Sequence, residues 1–424
     1  MKHILILLLA ITQYTISFSQ QIRYSEYFDT AALRVDYIHS GTKNTEAVSF
    51  VRFVRDDRWA GNPDKLICEF EYGKYRVEVF DAVSNKLIYS YGYCSLFEEW
   101  QTTDEATLTN KAFGESIVIP FPLKAVRIEL FSVQRDNSKT KIFTFNFNQS
   151  TEFELVGNHA QVNTLLINGS VEHSIDVAVV ADGYSLNERG KFESEADFLV
   201  KYLLSDPAFK DSNKKFNIHL VFSPSLESGC DIPGKGLWLN TVADSRFYTF
   251  GSDRYLTTAS YHKLRDLVSK VPCDQIIIIA NSNIYGGGGI YNFYSIASGS
   301  NLQSAEVLVH EFGHAFAALG DEYYTSETSY NDFYDLNHEP YQPNLTTLVD
   351  FDSKWKNMID ENVPIPTPLD VKFKNKTGVF EGGGYVEKGI YRPAFNCKMK
   401  ELSSPFCKVC SRAIMKMIDY YCEP

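Results

Sequence analysis

The sequence predicts two dissimilar units, an N-terminal antiparallel β-sandwich followed by an α/β domain. Three observations carry that reading. Short alternating or β-branched runs recur between turn signals up to about residue 148. Beyond residue 150, buried strand-like runs alternate with helix-like stretches, the order that builds parallel sheets. Within that second part, one apolar helix carries two histidines and an acid at metal-ligand spacing.

The chain opens on Met1, Lys2 and His3, then runs apolar from residue 4 to 12, with Ser17 and Ser19 flanking Phe18. This is the pattern of a secretory signal peptide over residues 1–19. The run is too short to span a bilayer, and no later run is long enough. The absence of a cysteine at the cleavage point argues against a lipid anchor. The expectation is an exported protein without a transmembrane segment: periplasmic, cell-surface or secreted.

The 424 residues allow two or three domains, and 44% hydrophobic with 22% charged residues is the balance of a globular chain. A net charge of -12 argues against nucleic acid as a partner. The 26 tyrosines and 30 phenylalanines suit β-rich structure and extended peptide binding.

Strands of the first unit, residues 20–148, are expected at 33–37, 47–53, 66–70, 76–80, 86–91, 115–119, 126–131 and 141–147. No catalytic constellation stands out there, so an accessory role is the modest reading. The second unit, residues 149–424, begins within a polar, turn-rich stretch at 147–174. Its strands are expected at 175–181, 216–222 and 275–280, with helices at 187–204 (capped by Asn187) and 255–271. Residues 285–295, YGGGGIYNFYS, lead into the metal-spaced helix. Gly288, Gly289, Ile290 and Tyr291 there are candidates for an edge strand that hydrogen-bonds an extended peptide.

Residues 307–324 contain His310-Glu311-Phe312-Gly313-His314. On a helix, positions four apart turn about 400° and rise about 6 Å, so both imidazoles leave one face. Glu311 points about 100° aside, where a general base for a metal-site water belongs. A catalytic zinc site needs a third protein ligand. Asp321 is the first candidate, with Glu322, Glu327 and Glu339 as rivals. A straight helix would carry Asp321 about 10 Å past His314, so the helix must end and fold back. Gly320 is the residue suited to a left-handed terminator.

Eight cysteines are present, four of them crowded at Cys397, Cys407, Cys410 and Cys422. Export favours disulfides among these, and a second, structural zinc site is the alternative. A final amphipathic helix is expected over residues 411–421. Asp350, Asp352 and Asp360 lack EF-hand spacing and read as solvated acids.

Taken together, the chain resembles the IgA peptidase (M64) family of zinc metallopeptidases over most of residues 175–421. The resemblance is carried by VVADGY at 179–184, FSPSLESG at 222–229, FYTFGSDRYL at 247–256 and GGGGIYNFY at 286–294. It continues through the 310–314 motif with Asp321, PNLTT at 343–347, FEGGGY at 380–385, YRP at 391–393 and CKM at 397–399. The resemblance implies an N-terminal β domain before the peptidase unit, Zn2+ held by His310, His314 and Asp321, and Glu311 as catalytic base. It also implies kinship with metzincins, which place a glycine three past the second histidine and the third ligand three beyond that. This chain has Ala317 and Gly320 at those positions. Met399 resembles the methionine turn beneath the metzincin zinc, and Tyr385 and Tyr391 are candidates to steady an oxyanion.

The expected function is a zinc-dependent endopeptidase acting on extracellular proteins, with immunoglobulin A-like host glycoproteins among the candidate substrates. The alternative is a non-catalytic glycoprotein- or glycan-binding surface protein on a peptidase scaffold. The retained His310, Glu311 and His314 argue against it.

Overall fold

The structure, a computed structural model, describes residues 22–157, 159–324 and 334–424. The expected signal peptide and the rival ligand Glu327 lie outside the described residues.

The first part runs α1 (Tyr24–Tyr27), β1 (Phe28–Thr42), β2 (Thr45–Asp56), β3 (Tyr75–Asp81), β4 (Leu87–Tyr93), α2 (Leu96–Gln101), α3 (Glu105–Leu108), β5 (Lys111–Pro122), β6 (Val126–Val133) and β7 (Lys139–Phe147). These strands make two antiparallel sheets, ordered β2-β1-β5 and β4-β3-β6-β7. Alternation along each strand puts Val35, Ile117 and Ile119 from one sheet, and Val77, Val79, Ile128 and Leu130 from the other, into a single apolar core. Residues 66–70 form no strand and contribute only a bridge between Ile67 and Ser90.

After this come β8 (Gln161–Leu166), β9 (Ile175–Asp182), α4 (Arg189–Ser205), β10 (Phe216–Phe222), the short pair β11 (Ser245–Arg246) and β12 (Thr257–Thr258), α5 (Tyr261–Val268), β13 (Gln275–Ala280), β14 (Gly287–Ile290) and β15 (Tyr294–Ser298). Then follow α6 (Ser304–Ala317), the hairpin β16 (Phe380–Gly383) and β17 (Val386–Arg392), and α7 (Lys408–Cys422). The main sheet is ordered β14-β15-β13-β9-β10-β8. Its four inner strands run parallel, while β8 and β14 lie antiparallel at the edges, so the sheet is mixed. Strand β8 comes from the stretch read as polar and turn-rich. Most of its residues are exposed, as befits an edge strand, and its apolar residues Val162, Leu165 and Leu166 do not alternate with polar ones.

Two helix boundaries move for identifiable reasons. The start of the 187–204 helix is set by Ser185, whose N–H donates to the Glu188 carboxylate at 2.9 Å in a capping box, and not by Asn187. The 255–271 helix shrinks to α5 because Leu256 donates its N–H to Gly287 O and so joins the β14 edge. The two parts meet across β1 and α5. Buried Arg34 pairs with Asp266, and Arg52 reaches Asp266 at 2.9 Å. No described helix is long and apolar enough to cross a membrane.

Candidate metal centre

Helix α6 lies against β14 and β15 and presents His310, Glu311 and His314 to a cleft of about 410 Å³. It ends at Ala318, which takes the left-handed conformation (φ 51°) while its N–H bonds back to His314 O at 3.0 Å. The terminator is therefore Ala318, a residue strained in that region, and not Gly320. Gly320 is needed for a different reason. A Cβ there would meet Leu345 Cδ1 at 2.6 Å, and its N–H donates to Asn344 Oδ1 at 2.8 Å. The chain turns back at this point and returns Asp321 to the histidines.

His310 donates Nδ1–H to Lys398 O at 3.0 Å, and His314 donates Nδ1–H to Leu319 O at 2.5 Å. Both Nε2 atoms are thereby left as lone pairs facing the same point. They stand 3.1 Å apart, and each faces Asp321 Oδ1, at 3.2 Å from His310 and 3.4 Å from His314. Ligand atoms about 2.0–2.1 Å from a tetrahedral zinc stand about 3.3 Å apart. Buried Asp321 Oδ1 receives no hydrogen bond of good geometry. Three converging lone pairs without a donor fit a metal ion, and the three residues form a group able to hold one.

The electrostatics agree. Burial lowers the proton affinity of His314, but the Asp321 carboxylate and Glu311 outweigh it and lift the group to about 9, so a proton and a metal ion compete for its Nε2. Burial would raise Asp321, yet the two imidazoles pull it well below the usual carboxylate range. The pocket attracts positive charge. Glu311 is pushed up by burial, against the lowering effect of the histidines.

The outer oxygen of Asp321, Oδ2, accepts hydrogen bonds from the Tyr385 hydroxyl and, at 3.1 Å, from Tyr323. Tyr385 is brought in by the hairpin turn after β16, where Gly384 N–H donates to Asp321 O at 2.8 Å. Met399 is fully buried beneath α6, with its Sδ 3.2 Å from where a Cβ on Gly313 would lie. Behind α6 the glycines of β14 permit contact that no side chain would allow. A Cβ on Gly289 would sit 2.2 Å from Glu311 O.

The profile of the family described as IgA Peptidase M64 matches residues 164–376 and 369–418, and that described as Peptidase M64 N-terminus matches residues 23–144. The chain belongs to the IgA peptidase M64 family. It is a metallopeptidase, a hydrolase of peptide bonds, built from N-terminal antiparallel sheets and a mixed α/β part. No curated protein matches it.

In this M64 peptidase the remaining expected site residues divide. Gly288, Gly289 and Ile290 line the cleft from the edge strand β14. Tyr291 borders it, but its ring is buried against Tyr72 and its carbonyl accepts the Cys94 N–H at 2.9 Å, so it joins the two parts of the chain. Tyr391 is not in the cleft: β17 pairs it with Thr346, and it packs against the small apolar cluster of Phe351, Trp355, Val379 and Val409. Glu339 is occupied by Thr346, Thr347 and Asp350. Glu322 turns away from the histidines toward Cys410.

Sequence reasoning missed one wall of the cleft. Cys94, Glu98 and Glu99, from the first β part, line it together with the helix residues. Burial raises Glu98 to about 7 and Glu99 to about 8, and Glu99 accepts a hydrogen bond from the Tyr255 hydroxyl. Tyr323 was not singled out either, although it lies two residues past Asp321 in the stretch 321–324.

Proposed function

We propose that this chain is an exported, zinc-dependent endopeptidase that cleaves extracellular proteins, with His310, His314 and Asp321 as zinc ligands and Glu311 as general base. The convergence of two Nε2 lone pairs and an undonated carboxylate oxygen within 3.1–3.4 Å of one another carries the reading. When bound there, zinc supplies Lewis acidity to the scissile carbonyl and lowers the pKa of water toward about 7.

The chain's own groups do the rest. Glu311, one position along the same helix, takes the proton of the attacking water on a carboxylate oxygen and returns it to the leaving amine nitrogen. Burial raises its proton affinity, which suits a group that must both take and give. Tyr385 and Tyr323 fix the orientation of Asp321 through its other oxygen. Gly288, Gly289 and Ile290 offer main-chain groups along which an extended substrate strand can lie.

The division into signal peptide (1–19), N-terminal β-sandwich (20–148) and metzincin-like peptidase domain (149–424) belongs to the same proposal. Met399 beneath α6 and the bend that returns Asp321 support the metzincin likeness. Immunoglobulin-type glycoproteins are the first substrates to try, on the family's description alone. Hydrolysis of casein and immunoglobulin A is expected to stop with a chelator, return with added zinc and be lost in Glu311→Ala. Equal cleavage by Glu311→Ala rejects the mechanism. Binding of the glycoprotein without any cleavage favours the non-catalytic alternative.

A further inference from the structure

The cysteines at the C-terminus do not pair as export led one to expect. All eight are free thiols, and Cys397 Sγ stands 3.6 Å from Cys410 Sγ, well beyond a bonded pair. Cys422, the fourth of the group in sequence, lies apart at the far end of α7 beside Lys215 O. The fourth member in space is Glu322. Its Oε1 is 3.2 Å from Cys410 Sγ, and one ligand atom from each of Glu322, Cys397, Cys407 and Cys410 lies within 4.8 Å of every other.

We propose that Cys397, Cys407, Cys410 and Glu322 bind a second, structural zinc ion. Zinc–sulfur bonds of about 2.3 Å and a zinc–oxygen bond of about 2.0 Å, set tetrahedrally, put sulfurs about 3.8 Å apart and sulfur about 3.5 Å from oxygen. The Cys397–Cys410 and Cys410–Glu322 separations, 3.6 and 3.2 Å, are close to these, and Cys407 lies within 4.8 Å of the others. Cys407 and Cys410 have the two-residue spacing of a zinc ligand pair. Three sulfurs and one oxygen select zinc over calcium or magnesium, which take oxygen ligands.

The surroundings are prepared for negative charge. Cys407 N–H donates to Cys397 Sγ at 3.3 Å, and Cys410 N–H donates to Cys407 Sγ at 3.5 Å. Cys407 is also the N-cap of α7, where the helix dipole is positive. Glu322 is fully buried. Asn344 donates to its Oε1 at 3.1 Å, yet Oε2 receives no hydrogen bond. A buried carboxylate oxygen without a donor, beside three thiols, is a costly arrangement that a cation resolves.

Such an ion ties three segments together: the bend after α6, the turn bearing Lys398 and Met399, and the start of α7. Glu322 N–H already donates to Met399 O at 2.7 Å, and Lys398 O holds His310. The second ion therefore secures the supports of the first, although the proposal stands whatever the histidine site does.

The test uses the full exported chain, loaded with cobalt under non-oxidising conditions. Two metals per chain and a thiolate-to-cobalt charge-transfer band in the near ultraviolet are expected. The His310→Gln/His314→Gln variant is expected to keep one cobalt and the whole band; Cys407→Ser loses the band and one metal. The histidine variant leaves the thiols untouched, so it decides the matter even if Cys407→Ser does not fold. A histidine variant with no metal and no band overturns the proposal. So does a Cys397–Cys410 disulfide found by mass in the protein as purified.

Discussion

Asp321 and Glu322 are neighbours in the chain whose carboxylates serve opposite sides of the same bend. Asp321 Oδ1 lies 3.2 Å from His310 Nε2, and Glu322 Oε1 lies 3.2 Å from Cys410 Sγ. Acids just past a helix C-terminus oppose the helix dipole, so their place here is explained by what they hold and not by the helix they follow.

Replacing Glu311 by Gln keeps the shape of the side chain and removes the proton acceptor. Hydrolysis is expected to fall by about 10²–10⁴-fold, the usual size of a general-base contribution. Metal content, measured by elemental analysis of the same sample, is expected to stay at the wild-type value. Loss of metal with activity would give Glu311 a different role.

Tyr385→Phe removes the hydroxyl that holds Asp321 Oδ2 and leaves the ring against Tyr323, 5.2 Å away between centroids. Losses of about 10–100-fold in metal affinity follow for partners of this kind. Competition with a chelator of known affinity measures the change. Tyr391→Phe, at a residue packed instead against the separate Phe351, Trp355, Val379 and Val409 cluster, is expected to leave that affinity where it was.

How much of this was readable depended on how local each signal is. Strands β9, β10 and β13 are buried along their whole length and mostly apolar, and their sequence expectations match to within a residue. The histidine spacing is likewise a property of one helix. The bend was required by distance alone, but its agent was not, because nothing about Ala318 marks it for a left-handed conformation. Asn344, which donates to both Gly320 O and Glu322 Oε1, lies 24 residues beyond Gly320 and speaks only through the tertiary fold. The same holds for Glu98 and Glu99, which reach the cleft because the N-terminal sheets pack beside it. Buried Arg34, Asp36 and His39 on β1 depart from an apolar pattern because ion pairs with one another and with β2, β5 and α5 satisfy them.

Gly289→Ala tests the close approach of β14 to α6. The new Cβ would lie 2.2 Å from Glu311 O and 2.9 Å from Glu311 Cα, both backbone atoms that cannot rotate away. A stability cost of about 1–3 kcal/mol is expected for forced overpacking of this kind. Thermal unfolding reads the cost, and hydrolysis is expected to fall with it because Glu311 is displaced.

His39 gives the protein a pH dependence remote from the metal. Burial lowers its proton affinity, but Glu115 and Glu46 on its two ring nitrogens reverse this and hold it at about 9, above the ordinary 6.5. A raised pKa adds stability that is complete below about 6.5 and disappears as pH rises through about 9. The contribution is on the order of 3 kcal/mol. Urea unfolding at pH 6 and pH 9.5 is expected to show a larger drop for wild type than for His39→Gln. Equal drops would remove His39 from the account.

The central claim is a zinc ion between His310, His314 and Asp321, and anomalous diffraction at the zinc edge from crystals of active protein tests it most directly. The account predicts a peak about 2 Å from both Nε2 atoms and from Asp321 Oδ1. Crystals of active enzyme with no peak there, or with the two imidazoles turned to separate environments, would contradict it.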